Sequence, residues 1–247
     1  MSARIDSLWP EAASDLDDAA LLRLYAPPPG PWLRMNFVSS LDGAATRQGR
    51  SGGLGDDADR RVFELLRRHA DAVLVGAGTA RTEGYGAMLL SEEAQDWREA
   101  RGMGSHPVFV LVSGSLRLDP ASPIFAEAPV RPIVYTLAGA PADRRSGLAP
   151  VADVVDAGGA ALDPHAVRAD LAARGLVHVH AEGGPTLFGA ILAADALDEL
   201  LLTLAPTLES GDAGRIARDP AAAPTRMSLA GVLRAGDELL LRYRRAP

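Results

Sequence analysis

The sequence predicts an α/β protein built on a central mixed, mostly parallel sheet flanked by helices. Short, wholly apolar runs alternate with longer amphipathic ones, the pattern of strands buried on both faces and the helices that cover them. Two of the apolar runs end directly in glycine turns, at the strand end where parallel sheets bind ligands. The later apolar runs lie closer together and admit an antiparallel edge.

Taken in order, residues 1–32 read as an N-terminal arm. Within it Asp15–Tyr25 suits a short helix, with Leu16, Ala19, Ala20 and Leu24 towards one face. The run Pro27-Pro28-Pro29-Gly30-Pro31 stops that helix, because proline lacks the amide donor. Residues 33–247 then read as the main domain. Leu33–Val38 is a strand. Asp56–Ala70 is a helix, capped by Asp56 or Asp57, with Val62, Leu65, Leu66 and Ala70 as its apolar face. Ala72–Val75 is a strand ending at Gly76, and Glu92–Arg101 a helix. Val108–Val112, Pro132–Thr136 and Val151–Val155 are strands. Asp163–Arg174 is a helix with Asp163 as cap, Pro164 in its first turn and Gly175 closing it. Leu176–His180 is a strand, Thr186–Ala194 a helix, and Leu200–Leu204 and Leu239–Arg244 the last strands. Ser210–Pro224, rich in Ala, Pro and Asp, is a surface loop.

Composition narrows the chemistry. The 247 residues carry a net charge of −7 and no cysteine, which removes thiolate nucleophiles, Cys-bound zinc and iron–sulfur clusters. All 25 basic residues are arginine, so a catalytic lysine is excluded. The acidic balance disfavours nucleic acid. No apolar run approaches the ~20 residues of a membrane helix, and the N-terminus lacks a signal-peptide pattern. The expectation is a cytoplasmic enzyme.

Three segments invite a site. Gly76-Ala77-Gly78-Thr79-Ala80-Arg81 follows a strand, but Arg81 stands where a dinucleotide fingerprint has its third glycine. A phosphate-binding turn and a plain turn both remain open readings. Glu182-Gly183-Gly184-Pro185-Thr186 again joins a strand to a helix, leaving amides uncovered at a positive helix end. Ser39-Ser40-Leu41-Asp42-Gly43 is a turn in which Asp42 either bonds a heterocycle or orders the loop over a cofactor. A basic loop follows, with Arg47 and Arg50 able to reach a phosphate or simply to sit in water. His178 and His180 share one strand face, where packing is a better reading than a metal.

The segments Met35-Asn36-Phe37-Val38-Ser39-Ser40-Leu41-Asp42-Gly43, Ala72-Val73-Leu74-Val75-Gly76-Ala77-Gly78-Thr79 and Glu182-Gly183-Gly184-Pro185-Thr186-Leu187, in that order, resemble the reductase domain of riboflavin biosynthesis, the RibD C-terminal (pyrimidine reductase) family. The likeness covers about residues 33–245. It implies a dihydrofolate-reductase-like fold, NADPH as hydride donor and a homodimer. It places Gly76, Gly78 and Thr79 at the cofactor's adenosine-side phosphates, and Glu182, Gly183, Gly184, Pro185, Thr186 and Leu187 at its pyrophosphate. Ser113 and Gly114 fall near the adenosine ribose. Asn36, Ser39 and Asp42 line the nicotinamide and substrate cleft.

The chain departs from the family on the substrate side. Arg81-Thr82-Glu83-Gly84-Tyr85-Gly86 replaces the usual continuation towards Asp-Asp-Pro, with Glu83 left for one acid. The family's Ser-x-x-Ala-Arg reads Gly55-Asp56-Asp57-Ala58-Asp59, so Asp59 takes the place of a substrate-contacting arginine, while Arg60 and Arg61 point to other helix faces. The expectation is a stand-alone NADPH-dependent reductase of a small pyrimidine or pterin-like heterocycle. Asp42 and Glu83 are its polar groups at the reacting centre, and Arg81 with Arg47 or Arg50 its 2′-phosphate readers. The riboflavin-pathway reductase itself, a dihydrofolate-reductase-like activity and a non-catalytic nucleotide-binding protein are the alternatives.

Overall fold

A computed structural model describes residues 3–221 and 223–246. The strands β1 (Asp6–Trp9), β2 (Trp32–Ser40), β3 (Ala72–Gly76), β4 (Val108–Val112), β5 (Ile133–Thr136), β6 (Asp153–Asp156), β7 (His178–Ala181), β8 (Glu199–Ala205), β9 (Met227–Ala235) and β10 (Glu238–Arg245) form one ten-stranded sheet. Its order is β1-β9-β10-β8-β2-β7-β3-β4-β5-β6. From β8 to β6 every pairing is parallel, and β10, β9 and β1 add an antiparallel edge.

The helices are α1 (Asp18–Leu24), α2 (Asp57–Arg68), α3 (Ala77–Glu83), α4 (Glu92–Glu99), α5 (Pro123–Ala126), α6 (Ala142–Leu148), α7 (Pro164–Ala173) and α8 (Pro185–Ala193). Strand alternation divides the core between the two faces. Leu74, Val110 and Tyr135 pack against Val167 and Leu171 of α7 and Phe188 and Ile191 of α8. Their neighbours Val73, Val75, Phe109, Leu111 and Val134 face the other way, onto Ala80, Ile124, Phe125 and Leu148. A third cluster joins Leu21 and Leu22 of α1 and Val62, Leu65 and Leu66 of α2 to Leu201, Leu233 and Leu240.

The caps follow the sequence. Asp56 accepts from the amides of Ala58 and Asp59, and Asp163 from those of His165 and Ala166. The sequence reading does not contain β1, β9, α3, α5 or α6. The arm supplies β1, which lies antiparallel on β9, and α1, which packs on α2. Ser210–Pro224 contains no helix or strand among its described residues, and Ile216 and Ala217 within it pack onto the first core cluster. No helix is long and apolar enough to cross a membrane among the described residues.

Candidate active site

A cleft of about 1340 Å³ opens along the C-terminal ends of β2, β3, β4, β5 and β7. Gly76 and Gly183 meet there: the Gly76 amide donates to the Gly183 carbonyl at 3.2 Å. Gly183 and Gly184 hold φ of +124° and +104°, where L side chains are strained. A Cβ on Gly184 would stand 3.4 Å from both the Leu187 Cβ and the Thr79 hydroxyl. α8 starts at the next residue with no side chain capping it. Its first-turn amides are thus left for a ligand, at the positive end of the helix. Farther along, the Thr136 hydroxyl lines the cleft, buried and without a partner. A glycine cradle beneath an uncapped helix, with an orphaned hydroxyl at one end, fits a pyrophosphate flanked by ribose groups.

The opposite half of the cleft is built by α2 and by residues 82–88. α2 turns Asp59, Phe63 and Arg67 into it, four residues apart and so on one helix face. Glu182 lies beneath them with no exposed side-chain surface. It receives the Arg67 guanidinium through Nε at 2.5 Å and Nη2 at 2.7 Å, and the Tyr85 hydroxyl at 3.1 Å. The guanidinium also lies 4.5 Å from the centre of the Phe63 ring. Burial, then the adjacent Glu182 charge, pushes the Tyr85 hydroxyl up. His180, fully buried, has its Nε2 3.6 Å from Glu182. Burial lowers its pKa well below the usual imidazole value, so the ring is neutral.

Asp59 sits behind the mouth of the cleft, and a Cβ on Gly55 would come within 2.3 Å of its carboxylate. Burial pushes the Asp59 carboxyl up, against the pull of the Thr203 hydroxyl. Glu238 lies close by and accepts from the Asp56 amide at 3.0 Å; burial first, then the neighbouring Asp56 and Asp59, pushes its carboxyl up to about 8.

Of the residues expected at the site, Asn36, Gly76, Gly78, Thr79, Glu83, Gly114 and Glu182 to Leu187 line the cleft. Glu83 accepts from the Ser51 amide at 2.8 Å, fastening the 45–52 loop to α3. Gly78 lies inside α3 rather than in a turn. Four expectations are placed elsewhere. The buried Ser39 hydroxyl donates to the Ser40 carbonyl, and Ser113 accepts from the Leu116 amide, so neither side chain lines the cleft. Arg81 points outward and donates to the Arg117 carbonyl at 3.1 Å. Asp42 is outside the cleft lining, and its carboxylate accepts from the Ser40 hydroxyl and from the amides of Glu209 and Ser210. Those bonds, the Ser40 hydroxyl first, hold its carboxyl down at about 2. Asp42 therefore orders the loops, and the chain supplies no free Asp42 carboxylate to a heterocycle.

The basic loop is also committed. Arg47 forms a two-pronged ion pair with Glu209 and donates to the Gly53 carbonyl, and Arg50 pairs with it through backbone bonds. Arg61 departs as expected, towards Asp18 and the arm carbonyls. Arg60 does not: it lines the cleft beside Asp59, because the helix wraps residues 59 and 60 to either side of the same opening. His178 and His180 do not converge on an ion, since His178 turns to Asp71 at 3.6 Å. Sequence reading missed Phe63, Arg67 and Tyr85. Phe63, an aromatic side chain on the charged side of α2, was the one available signal.

The family model described as RibD C-terminal domain matches residues 31–241. A 2,5-diamino-6-ribosylamino-4(3H)-pyrimidinone 5′-phosphate reductase from Methanothermobacter thermautotrophicus is 30% identical over 220 residues, covering 86% of this chain and 97% of that protein. The reductase of the same name from Archaeoglobus fulgidus is 25% identical over 182 residues, covering 73% and 83%. Among solved structures, a pyrimidine reductase-like protein from Corynebacterium diphtheriae superposes with a TM-score of 0.81 at 29% identity, covering 88% of this chain and 92% of that one.

Proposed function

The chain belongs to the RibD C-terminal domain family, and from that premise we propose that it is an NADPH-dependent reductase of a small pyrimidine. The single observation that carries the reading is the Gly183-Gly184 cradle under the uncapped α8, in contact with Gly76. Gly76, Thr79 and residues 183–187 would hold the pyrophosphate, with Gly114 and Thr136 towards the adenosine. When bound there, the reduced nicotinamide supplies a hydride to an electrophilic carbon of the substrate.

The chain's own residues orient the acceptor. Glu182 accepts three hydrogen bonds from Arg67 and Tyr85, which fix its position beside the cleft. Phe63 and the methylene and ring surfaces of Met88 and Tyr85 offer flat apolar walls to a heterocycle. Glu83 and Asn36 supply polar contacts, while Asp42 ties the 40–47 and 206–210 segments together at the rim. The names of the relatives favour a pyrimidine over a pterin. A homodimer belongs to the same reading.

The test is titration of the protein with NADPH and NADH followed by melting. NADPH is expected to raise Tm by mass action, and NADH to do so less. An unchanged Tm with both would leave the glycine cradle a mere turn and sink the proposal.

A further inference from the structure

Arg67 presents a fixed donor edge to the cleft. Its side chain leaves the last turn of α2 and is 19% exposed. Glu182, with no exposed side-chain surface, takes the Nε hydrogen and one hydrogen of Nη2. A guanidinium has donors beyond those. The Nη1 amino group and the second Nη2 hydrogen share the outer edge of the planar fork. They have no protein acceptor among the described residues, yet they are not sealed in the core, and Arg67 lines the cleft. The edge is also held still. The Phe63 ring centre lies 4.5 Å from the guanidinium carbon and the Tyr85 ring centre 6.0 Å. Arg60, which lines the cleft as well, pairs with Asp57 at the surface and offers no such fixed donor.

We infer that Arg67, through this outer edge, reads a ring carbonyl oxygen of the pyrimidine substrate, and that Glu182 aims it. This deepens the proposed reductase function and rests on it. Glu182 immediately precedes the Gly183-Gly184 cradle, so a ring held on Arg67 lies beside whatever the cradle holds. Glu182 balances the guanidinium charge, and the buried His180 behind it is neutral. The edge thus offers directed hydrogen bonds with little net charge, which suits a neutral carbonyl better than an anion. A ring amino group in the carbonyl's place would set donor against donor.

The test is calorimetric titration of the full chain, preloaded with NADP⁺, at a pH where both probes are neutral. The probes are a triaminopyrimidinone and the tetraaminopyrimidine that carries an amino group in place of the carbonyl. The pyrimidinone is expected to bind about tenfold tighter or better. Arg67→Lys keeps a cation for Glu182 but lacks the outer edge, and should bring the ratio towards one. Should that variant not fold, the comparison on the unaltered chain decides alone. Equal binding of the two probes, or tighter binding of the tetraamine, overturns the inference. So does a ratio that Arg67→Lys leaves unmoved in a chain that still takes up NADP⁺. Binding of neither probe to the NADP⁺-loaded chain overturns it together with the pyrimidine assignment. Failure to bind NADP⁺ overturns the reductase reading, and the inference with it.

Discussion

A methyl group at position 184 would meet the Thr79 hydroxyl and Leu187 at 3.4 Å, on a backbone with φ of +104°. At position 76 the nearest atoms are 3.7 Å away, an ordinary contact, and the backbone is extended. Gly184→Ala should therefore cost about 1–3 kcal/mol of stability and abolish NADPH binding, whereas Gly76→Ala should keep the fold. Paired melting curves with and without NADPH check this; equal behaviour of the two variants would contradict it. The demand for glycine at 184 was legible, since a Gly-Gly-Pro run between an apolar strand and a helix has few other uses. The partners of Glu182 were not. Arg67 lies 115 residues away along the chain, and only the packing of α2 over β7 brings it near. Asp42 shows the same limit. Its turn was readable, but the Glu209 and Ser210 amides that consume its carboxylate lie 167 and 168 residues on.

At the scale of the element, runs such as Val108–Val112 declare themselves, because five consecutive apolar residues suit a strand covered on both faces, and Phe109, Val110 and Leu111 at its centre are buried. The caps at Asp56 and Asp163 did so as well, through local bonds. α3 did not. Its sequence, Ala77-Gly78-Thr79-Ala80-Arg81-Thr82-Glu83, has no apolar stripe, and its glycine suggests a turn. It is helical because Ala77 and Ala80 are small enough to sit under the sheet edge, and Gly84 in a left-handed conformation ends it. β1 is only four residues long, and β9 carries a mid-strand glycine, so both depend on their neighbours. The assignment of α3 has a measurable consequence. Gly78 lies inside the helix with open space where a Cβ would go. Gly78→Ala should raise stability by about 0.5–1 kcal/mol while weakening NADPH binding, because that open space faces the cleft. A variant more stable and equally tight for NADPH would place the cofactor away from α3.

For the whole molecule, the mainly parallel sheet was readable from the alternation of strand and helix, but the strand order was not. β7 inserts between β2 and β3, and β10 between β8 and β9, arrangements set by long-range pairing. That order leaves one surface to account for. Registers place Leu202, Leu241 and Val232 in one cross-strand row and Leu204 and Leu239 in the next. Period-2 alternation turns them away from α1 and α2, which cover Leu201, Leu233 and Leu240 on the other face. These leucines are only partly buried and lie outside all three core clusters. Leu229 and Trp9, both exposed, extend the apolar area towards the edge strand. A contiguous apolar sheet face of this kind fits a self-complementary contact about a two-fold axis better than open water. If the chain forms the homodimer proposed above, the β8-β10-β9 face is where the two copies would meet. Leu241→Asp would bring one carboxylate from each protomer into that contact without disturbing any of the three clusters. Light scattering should then give a dimer for the unaltered chain and a folded monomer for the variant, with the melting transition retained. A unaltered chain that scatters as a monomer, or a variant that stays dimeric, would move the interface elsewhere.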